Sequence, residues 1–233
     1  MTKTTTARLA SSNHIDAAEQ PAIANPWLRR LKPERREEYA LALAKELGPR
    51  YAGCNFESYR ISCEPQRKVF DQVKAFANDM PKRMRQGGGL VFHGRVGTGK
   101  DHLMCAMMAH AIREHGFGVH WVNGLDLFMR IRERIRDGGS EEEFVAEYQE
   151  PQILAISDPV PPRGDASPFA VATMQQIIDR RYRDLKSTWC TLNVCDGDEA
   201  SGRLAGPLVD RLRHGSLCLA CDWDTYRTEG PPQ

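Results

Sequence analysis

The chain has 233 residues and a nearly balanced charge, with 32 lysines and arginines against 31 aspartates and glutamates. That length is enough for one α/β domain with a large core and an N-terminal appendage. The balance excludes a strong overall field for nucleic acid, so any basic surface must be local. With no apolar stretch of membrane-spanning length and no signal-peptide core, the sequence predicts a cytoplasmic protein with reduced cysteines.

The N-terminal part of the sequence divides into a tail and a short helix. Residues 1–25 are rich in Thr, Ser, Ala and Asn and lack apolar periodicity, which predicts a flexible tail. A helix is predicted from Glu34 to Leu47, because Pro33 suits a helix start and Gly48-Pro49 ends the pattern. Two packing partners stay open for its apolar residues, the main domain or another protein: Tyr39, Leu41, Leu43 and Leu47.

The main domain is predicted to begin after residue 50. Residues 50–63 show no periodicity, which predicts an irregular connector. From Glu64 to about Arg85 apolar residues recur at helical spacing, which predicts one long helix. We therefore expect two units: a tail with a short helix over residues 1–50, and a main domain over residues 51–233.

The segment after Leu90–His93, a short apolar strand, has the pattern of a phosphate-binding loop. Gly94 is followed by four residues, then Gly99-Lys100 and a predicted helix from Asp101 to about His115. The glycines allow consecutive N–H groups to turn toward an anion, and the helix start adds the positive end of its dipole. The alternative is a plain glycine turn with a surface lysine. The predicted nucleotide contacts are Gly94, Arg95, Val96, Gly97, Thr98, Gly99, Lys100, Asp101 and His102.

A dense positive cluster follows the second predicted strand, residues 117–122, and the turn Asn123-Gly124. The helix predicted over residues 125–136 turns Leu127, Ile131 and Ile135 inward. Two interpretations of its basic residues stay open: a solvated helix face, or contact with a single-stranded nucleic-acid backbone. These residues are Arg130, Arg132, Arg134 and Arg136.

The third predicted strand ends in polar residues. A capping box at Ser140 predicts a short helix before it, and Ile153–Ile156 then leads into Ser157 and Asp158. In phosphate-loop ATPases, this strand ends in an Asp that helps hold magnesium, usually followed by a Glu that positions water. Ser157 occupies the Asp place and Asp158 the Glu place, so neither residue is the usual one.

The loop also departs from the usual pattern, since Asp101 stands where Ser or Thr is expected. We hypothesise that the two departures are one exchange, in which Asp101 and Ser157 still present one carboxylate and one hydroxyl to the same Mg²⁺. Asp101, Ser157 and Asp158 are therefore the predicted metal ligands, and nucleotide binding should depend steeply on magnesium. The alternative is a decayed site with weak or absent hydrolysis.

The C-terminal half predicts a helix over residues 169–186, whose buried side carries Met174, Ile177, Ile178 and Tyr182. Its arginines favour the helix C-terminus or face a neighbouring subunit: Arg180, Arg181 and Arg183. Asn193, near the end of a predicted strand, either orients a water molecule or makes a simple strand-end hydrogen bond. A short helix over residues 204–213 precedes a strand in which Cys218 and Cys221 are predicted to be structural rather than metal-binding.

Five apolar strands separated by helices predict an α/β fold with a mainly parallel sheet covered on both faces. The predicted strands are 90–93, 117–122, 153–157, 188–194 and 216–221. Ligands bind such sheets at the carboxyl ends of the strands, where Lys100, Asp158 and Asn193 all fall.

Over residues 50–227 the sequence resembles the DnaC/IstB group of AAA+ ATPases, which are replicative helicase loaders and transposition helper ATPases. The resemblance rests on Gly-Arg-Val-Gly-Thr-Gly-Lys-Asp-His-Leu, Ile-Leu-Ala-Ile-Ser-Asp, Thr-Leu-Asn-Val, Leu-Val-Asp-Arg-Leu-Arg-His-Gly and Asp-Trp-Asp-Thr-Tyr-Arg. It implies a three-layer P-loop NTPase fold without a C-terminal helical lid. It also implies ATP and Mg²⁺ as cofactors.

The same resemblance implies roles for single residues. Lys100 would bind phosphates, Asp158 would serve metal or water, and Asn193 would be the first sensor. Arg211 would be an arginine finger that acts in trans, with Arg213 as the alternative finger and a surface salt bridge as the other interpretation of both.

The resemblance further implies a homo-oligomeric ring or spiral around single-stranded DNA, with an N-terminal segment that grips a replicative helicase. The expected function is ATP-dependent helicase loading, with slow hydrolysis because the metal motifs are altered. A transposition helper and a nucleotide-binding adaptor with little hydrolysis are the alternatives.

Overall fold

Five parallel strands form the centre of the fold in the computed structural model, which describes residues 30–228. All five predicted strands are present, and the sheet order is β2-β3-β4-β1-β5 with every neighbouring pair parallel. The predicted tail over residues 1–25 lies outside the described part. The strands are β1 (Leu90–His93), β2 (Val119–Asn123), β3 (Ile153–Ser157), β4 (Ser187–Leu192) and β5 (Leu217–Ala220).

Helices cover both faces of the sheet and connect its strands. They are α1 (Pro33–Leu47), α2 (Pro49–Ala52), α3 (Glu64–Asn78), α4 (Met80–Arg85), α5 (Lys100–Arg113), α6 (Gly124–Arg136), α7 (Glu141–Gln149), α8 (Pro168–Arg183), α9 (Gly197–Leu204) and α10 (Gly206–Arg213). A 3-10 turn over Tyr226–Thr228 follows β5. No helix in the described range 30–228 is long and apolar enough to cross a membrane.

Three helices differ from the prediction. The single helix expected over 64–85 is broken at Asp79, because Pro81 in the first turn of α4 cannot donate the hydrogen bond that would continue α3. The short helix α2 forms in the predicted connector, with Pro49 at its first position. Helix α9 is held by the Asp196 carboxylate, which accepts from the N–H groups of residues 198 and 199; its glycine-rich sequence gave no helical signal.

The two faces of the sheet bury separate cores. Along β1, Leu90 and Phe92 pack with α1, α3 and α5, whereas Val91 packs with the layer that contains α6, α7, α8, α9 and α10. This alternation is the two-residue period of a strand covered on both sides. The three-layer fold predicted from the sequence is confirmed.

Helix α1 packs on the main domain. The Tyr39 hydroxyl donates to the Val119 carbonyl at 3.1 Å, and Glu37 pairs with Arg113 of α5 at 2.7 Å. Ala40 and Leu43 are buried, but Leu41 is 58% exposed, so its predicted place in the packing face is wrong. The structure therefore favours the first of the two packing partners.

Other predicted core residues lie at the surface. Ile135 is 38% exposed in the last turn of α6, and Tyr182 is 40% exposed near the end of α8, where each helix extends beyond the sheet. Strand β5 was expected to be buried, but it is an edge strand, so Cys218 is exposed while Cys221 is buried.

Arg181 corrects the prediction that the α8 arginines face a neighbouring subunit. Its guanidinium is fully buried near the amino ends of the strands. Burial lowers the pKa of Arg181 to about 9, and backbone carbonyls and one hydroxyl accept its hydrogen bonds. The acceptors are the carbonyls of Tyr148, Gln149, Pro151, Gln152 and Ser187 and the hydroxyl of Thr188.

Candidate nucleotide site

The glycine-rich loop between β1 and α5 has backbone conformations that other residues rarely adopt. Gly94 and Gly97 have φ angles of 131° and 85°, and a Cβ at either would overlap Cys221 or Thr225. Helix α5 begins directly after the loop, and no described side chain caps its first N–H groups. A loop of this shape before an uncapped helix start is suited to hold an anion.

Lys100 lies buried under this loop. Its ammonium donates to the carbonyls of Gly94 and Arg95, at 2.8 and 2.6 Å. Burial lowers the pKa of Lys100, while Asp101 and Asp158 act in the opposite direction. The lysine predicted to bind phosphate is thus held by the carbonyls of the loop itself.

A C-terminal strap, residues 222–227, holds the loop from its other side. Trp223 Nε1 donates to the Thr98 carbonyl at 2.9 Å, and the N–H of Tyr226 donates to the Gly97 carbonyl at 3.0 Å. Asp222 forms an ion pair with Arg95 at 2.9 Å. The sequence marked this segment only as part of the family resemblance. Its contact with the loop depends on β5 pairing with β1, which the sequence alone did not show.

Asp101 and Ser157, the two exchanged residues, lie in contact. The Ser157 hydroxyl donates to Asp101 Oδ1 at 3.0 Å. Thr191, which the sequence analysis did not select, donates to the same oxygen at 2.9 Å and is the register partner of Ser157 across β3 and β4. The pairing of those strands was the missing information, because it places the two hydroxyls side by side.

One carboxylate and two hydroxyls offer the oxygen ligands that Mg²⁺ prefers. Within residues 30–228 there is no group of three His, Cys, Asp or Glu side chains that could hold a metal ion by themselves. A metal ion at Asp101 would therefore need the hydroxyls and oxygen atoms from a bound nucleotide. The residues present fit a nucleotide-bound Mg²⁺ better than a permanent metal centre.

Asp158 and Asn193 meet at the carboxyl ends of β3 and β4. The Asn193 amide donates to Asp158 Oδ2, and the N–H of Asp158 donates to the Thr191 carbonyl at 3.0 Å. Burial raises the pKa of Asp158, and the hydrogen bonds from Asn193 oppose that change. Asp158 has a φ of 48°, a left-handed conformation that is uncommon outside glycine and often occurs at functional sites.

A cavity of about 670 Å³ opens between the loop and the segment predicted to be an irregular connector. His102 does not project freely into it, because its ring lies 3.1 Å from the Ser58 hydroxyl and 3.0 Å from the Asn55 carbonyl. Burial lowers the pKa of His102. Sequence reasoning missed the connector and strap residues that line the cavity, since neither segment has periodicity: Arg50, Tyr51, Cys54, Ser58, Tyr59, Arg60, Tyr226 and Arg227.

The four α6 arginines lie together on the exposed side of their helix. Arg132 lies over the Phe169 ring at 4.8 Å, Arg134 over the Phe144 ring at 5.3 Å, and Arg136 pairs with its neighbour Asp137. Arg130, the fourth, is also exposed. Their contact with nucleic acid stays a prediction.

Arg211, the predicted finger, lies away from the cavity that contains Lys100. Its Nε is 2.9 Å from Asp179 Oδ1 on α8, and it lines a second cavity of about 320 Å³ with Gly89 and Ser216 at the amino ends of the strands. Arg213, the alternative finger, lies against Gly197 at the start of α9. Arg211 can therefore reach a nucleotide only on another chain.

The strand order and the glycine loop after β1 define the class: the fold is that of the AAA+ phosphate-loop ATPases. The chain belongs to the family described as IstB-like ATP binding protein, whose model matches residues 40–230. The family resemblance predicted from the motifs is confirmed, and membership supports ATP as the nucleotide.

Two curated relatives named Replicative helicase loader DnaC are similar over most of their length. The protein from Buchnera aphidicola (subsp. Schizaphis graminum) is 30% identical over 200 residues, which cover 82% of this chain and 78% of the relative. The protein from Escherichia coli K12 is 27% identical over 182 residues, which cover 77% and 71%.

Two solved structures share the fold. The crystal structure of the DnaC helicase loader has a TM-score of 0.66 at 23% identity and covers 74% of this chain and 99% of that one. The replication initiator DnaA bound to AMPPCP and single-stranded DNA has a TM-score of 0.61 at 21% identity and covers 76% and 51%.

Proposed function

We propose that this protein binds ATP with Mg²⁺ and helps to load a replicative helicase onto single-stranded DNA. The observation that carries the proposal is the glycine loop, whose uncapped helix start and buried Lys100 border a cavity of about 670 Å³. The relatives named as DnaC helicase loaders, similar over more than two thirds of their length, supply the biological role.

In this proposal the loop holds the phosphates of ATP. The N–H groups of the loop face the anion, and Lys100 exchanges the Gly94 and Arg95 carbonyls for phosphate oxygens. Arg227 of the strap is exposed at the wall of the same cavity and adds a second cation there. The remaining predicted loop contacts shape the cradle around the phosphates.

Mg²⁺ would be held by Asp101 and Ser157, with Asp158 beside them and Thr191 as a further hydroxyl. The metal supplies positive charge between the carboxylates and the phosphates, which repel each other without it. Asn193 holds Asp158 in place and lies where an amide can orient a water molecule. Nucleotide affinity should therefore fall steeply when magnesium is removed.

The DNA and subunit contacts use other surfaces. The exposed α6 face, with Arg130, Arg132, Arg134 and Arg136, binds the DNA backbone without sequence preference. Homo-oligomerisation brings Arg211 of one copy to the nucleotide of another, which makes hydrolysis depend on assembly. The N-terminal segment binds the helicase, and its described part presents Leu41 to solvent.

Two observations favour alternative functions. The matching family model describes IstB-like proteins, which favours a transposition helper ATPase that uses the same site. Ser157 in place of a carboxylate, together with an Asp158 that is already bound by Asn193, favours an adaptor that binds nucleotide and hydrolyses it little. Both alternatives keep the nucleotide site and change only what it drives.

Helicase loading by the purified protein tests the proposal. The chain is mixed with the hexameric replicative helicase of the same organism, and helicase bound to single-stranded DNA circles is measured with and without ATP. We expect ATP-dependent loading, and ATPase activity that DNA stimulates. Lys100→Ala should abolish both by weakening nucleotide binding, and Arg211→Ala should reduce hydrolysis by about 10³-fold while nucleotide still binds.

The control is Arg180→Ala, which removes an exposed arginine from α8 and should leave both activities unchanged. No complex with the helicase, but ATP-dependent binding to a transposase, would favour the transposition helper. A helicase complex that forms with ATP but shows no measurable hydrolysis would favour the adaptor.

A further inference from the structure

Arg211 is bound within its own chain by a carboxylate on a different helix. Its Nε is 2.9 Å from Oδ1 of Asp179 on α8, and its Nη1 donates to the Pro207 carbonyl of α10 at 2.9 Å. Both side chains of the ion pair are 32% exposed. The guanidinium therefore lies folded between two helices instead of projecting into solvent.

Asp179 has little other use for its carboxylate. Oδ1 is buried and, within the described part of the chain, accepts no aligned hydrogen bond, so the charge contact with Arg211 is its main compensation. Arg211 is the one cation within 4.0 Å of this carboxylate among residues 30–228. A buried carboxylate oxygen is costly unless a cation lies near it, which ties Asp179 to the position of Arg211.

The ion pair and the nucleotide site lie at opposite ends of the sheet. Arg211 borders the cavity with Gly89 and Ser216, which precede β1 and β5, whereas Lys100 lies after β1. The guanidinium can bind a phosphate only if a second copy brings its nucleotide to this end. It must then leave Asp179.

We propose that Asp179 is a positioning residue, which holds Arg211 against its own subunit until a nucleotide-bound copy docks. This inference rests on the trans role of Arg211 in the proposed function. The carboxylate and the neighbour's triphosphate compete for one guanidinium, and the more highly charged phosphates win when the copy is in place. Asp179 thereby keeps hydrolysis low in the unassembled chain.

Asp179→Asn tests this directly, because the amide keeps the shape of the side chain and removes its charge. ATPase activity per chain is measured against protein concentration in the full-length protein. We expect the half-maximal concentration to fall by about two- to fivefold, the range that a partly exposed ion pair supports, with the maximal rate unchanged. The matched control is Asp184→Asn, which removes the Arg180–Asp184 pair at 2.9 Å just after the same helix.

A merely structural role for Asp179 would lower the unfolding temperature and leave the concentration dependence where it is. The double variant Asp179→Asn/Arg211→Ala should hydrolyse ATP as slowly as Arg211→Ala, because the gain requires the arginine. Asp179→Asn that behaves like Asp184→Asn, or that raises the half-maximal concentration, would overturn this inference alone. Unchanged hydrolysis in Arg211→Ala would instead overturn the trans role in the proposed function, and this inference with it.

Discussion

Both ends of the central sheet concentrate polar side chains, but they do so in opposite ways. At the carboxyl ends, Lys100, Asp101 and Asp158 border an open cavity and are held by contacts that a ligand can replace. At the amino ends, the Arg181 guanidinium is closed off from solvent and bonded to backbone carbonyls. Side chains poised beside an uncapped helix start indicate a binding site, whereas a cation enclosed by carbonyls stabilises the fold.

The difference between the two ends also separates neighbours on one helix. Arg180 and Arg181 are adjacent in sequence and carry the same charge. Arg180 forms an exposed ion pair with Asp184, while Arg181 joins α8 to the carbonyls that precede β3 and β4. Burial, not residue type, decides which of them matters for stability.

The largest expected effect is on stability at the amino end. Arg181→Met keeps the apolar stem and removes the guanidinium, so the carbonyls of Tyr148, Pro151 and Ser187 lose their donors in a buried place. We expect the free energy of unfolding to fall by about 3–5 kcal/mol. Urea unfolding followed by circular dichroism measures this change.

Arg180→Met is the control, since it removes an exposed ion pair from the same helix and should cost less than about 1 kcal/mol. Nucleotide affinity of folded Arg181→Met protein should equal that of wild type, because the site lies at the other end of the sheet. A loss below about 1 kcal/mol in Arg181→Met would show that water or side chains replace the guanidinium, and the contrast between the two ends would not hold.

The next effect concerns the exchanged residues at the carboxyl end. Asp101→Thr removes the carboxylate from the site, and Ser157→Asp places a second carboxylate within hydrogen-bonding distance of Asp101. Each single change should weaken ATP binding in the presence of Mg²⁺, and the double change should restore one carboxylate and one hydroxyl. We expect a coupling free energy of about 1–2 kcal/mol, measured by calorimetric titration of ATP at saturating Mg²⁺.

Titration without magnesium is the control, because the exchange acts through the metal. The coupling should disappear in excess chelator, where Ser157→Asp binds most weakly because its two carboxylates face the phosphates. Additive effects of the two changes in the presence of Mg²⁺ would refute the exchange, and the decayed site would then be the better description.

Local patterns made much of this site predictable. The loop, Lys100 and the start of α5 are contiguous in sequence, and parallel strands of one sheet place Ser157 and Asn193 at the same edge. Thr191 was not predictable, because its contact with Asp101 depends on β4 lying between β1 and β3.

Segments without periodicity were the other gap. The connector that carries Tyr51 and Cys54 lines the cavity, and the strap around Trp223 holds the loop, yet neither segment gives a local signal of its contacts. Arg181 shows the converse problem. Its sequence neighbourhood is that of a surface arginine, and only the packing of α8 against the sheet buries it.

The smallest expected effect is a pH dependence at the carboxyl end. Burial raises the pKa of Asp158 above its usual value of 3.8, so the folded protein binds this proton more tightly than the unfolded chain does. Stability contributed by this group should therefore rise as pH falls through the folded pKa, whereas nucleotide hydrolysis, which uses the carboxylate, should fall. Unfolding temperature and ATPase rate are measured between about pH 4 and 7, close to that pKa.

Asn193→Ala sharpens this test, because its hydrogen bonds to Asp158 oppose the effect of burial on the pKa. Without them the pKa of Asp158 should rise further, so the acid limb of the ATPase profile should move to higher pH. Asp158→Asn should remove the opposed changes in stability and rate, since nothing titrates at that position. An acid limb that stays in place in Asn193→Ala would assign the titration to a different group, and Asp158 would then join the enclosed polar groups that stabilise the fold.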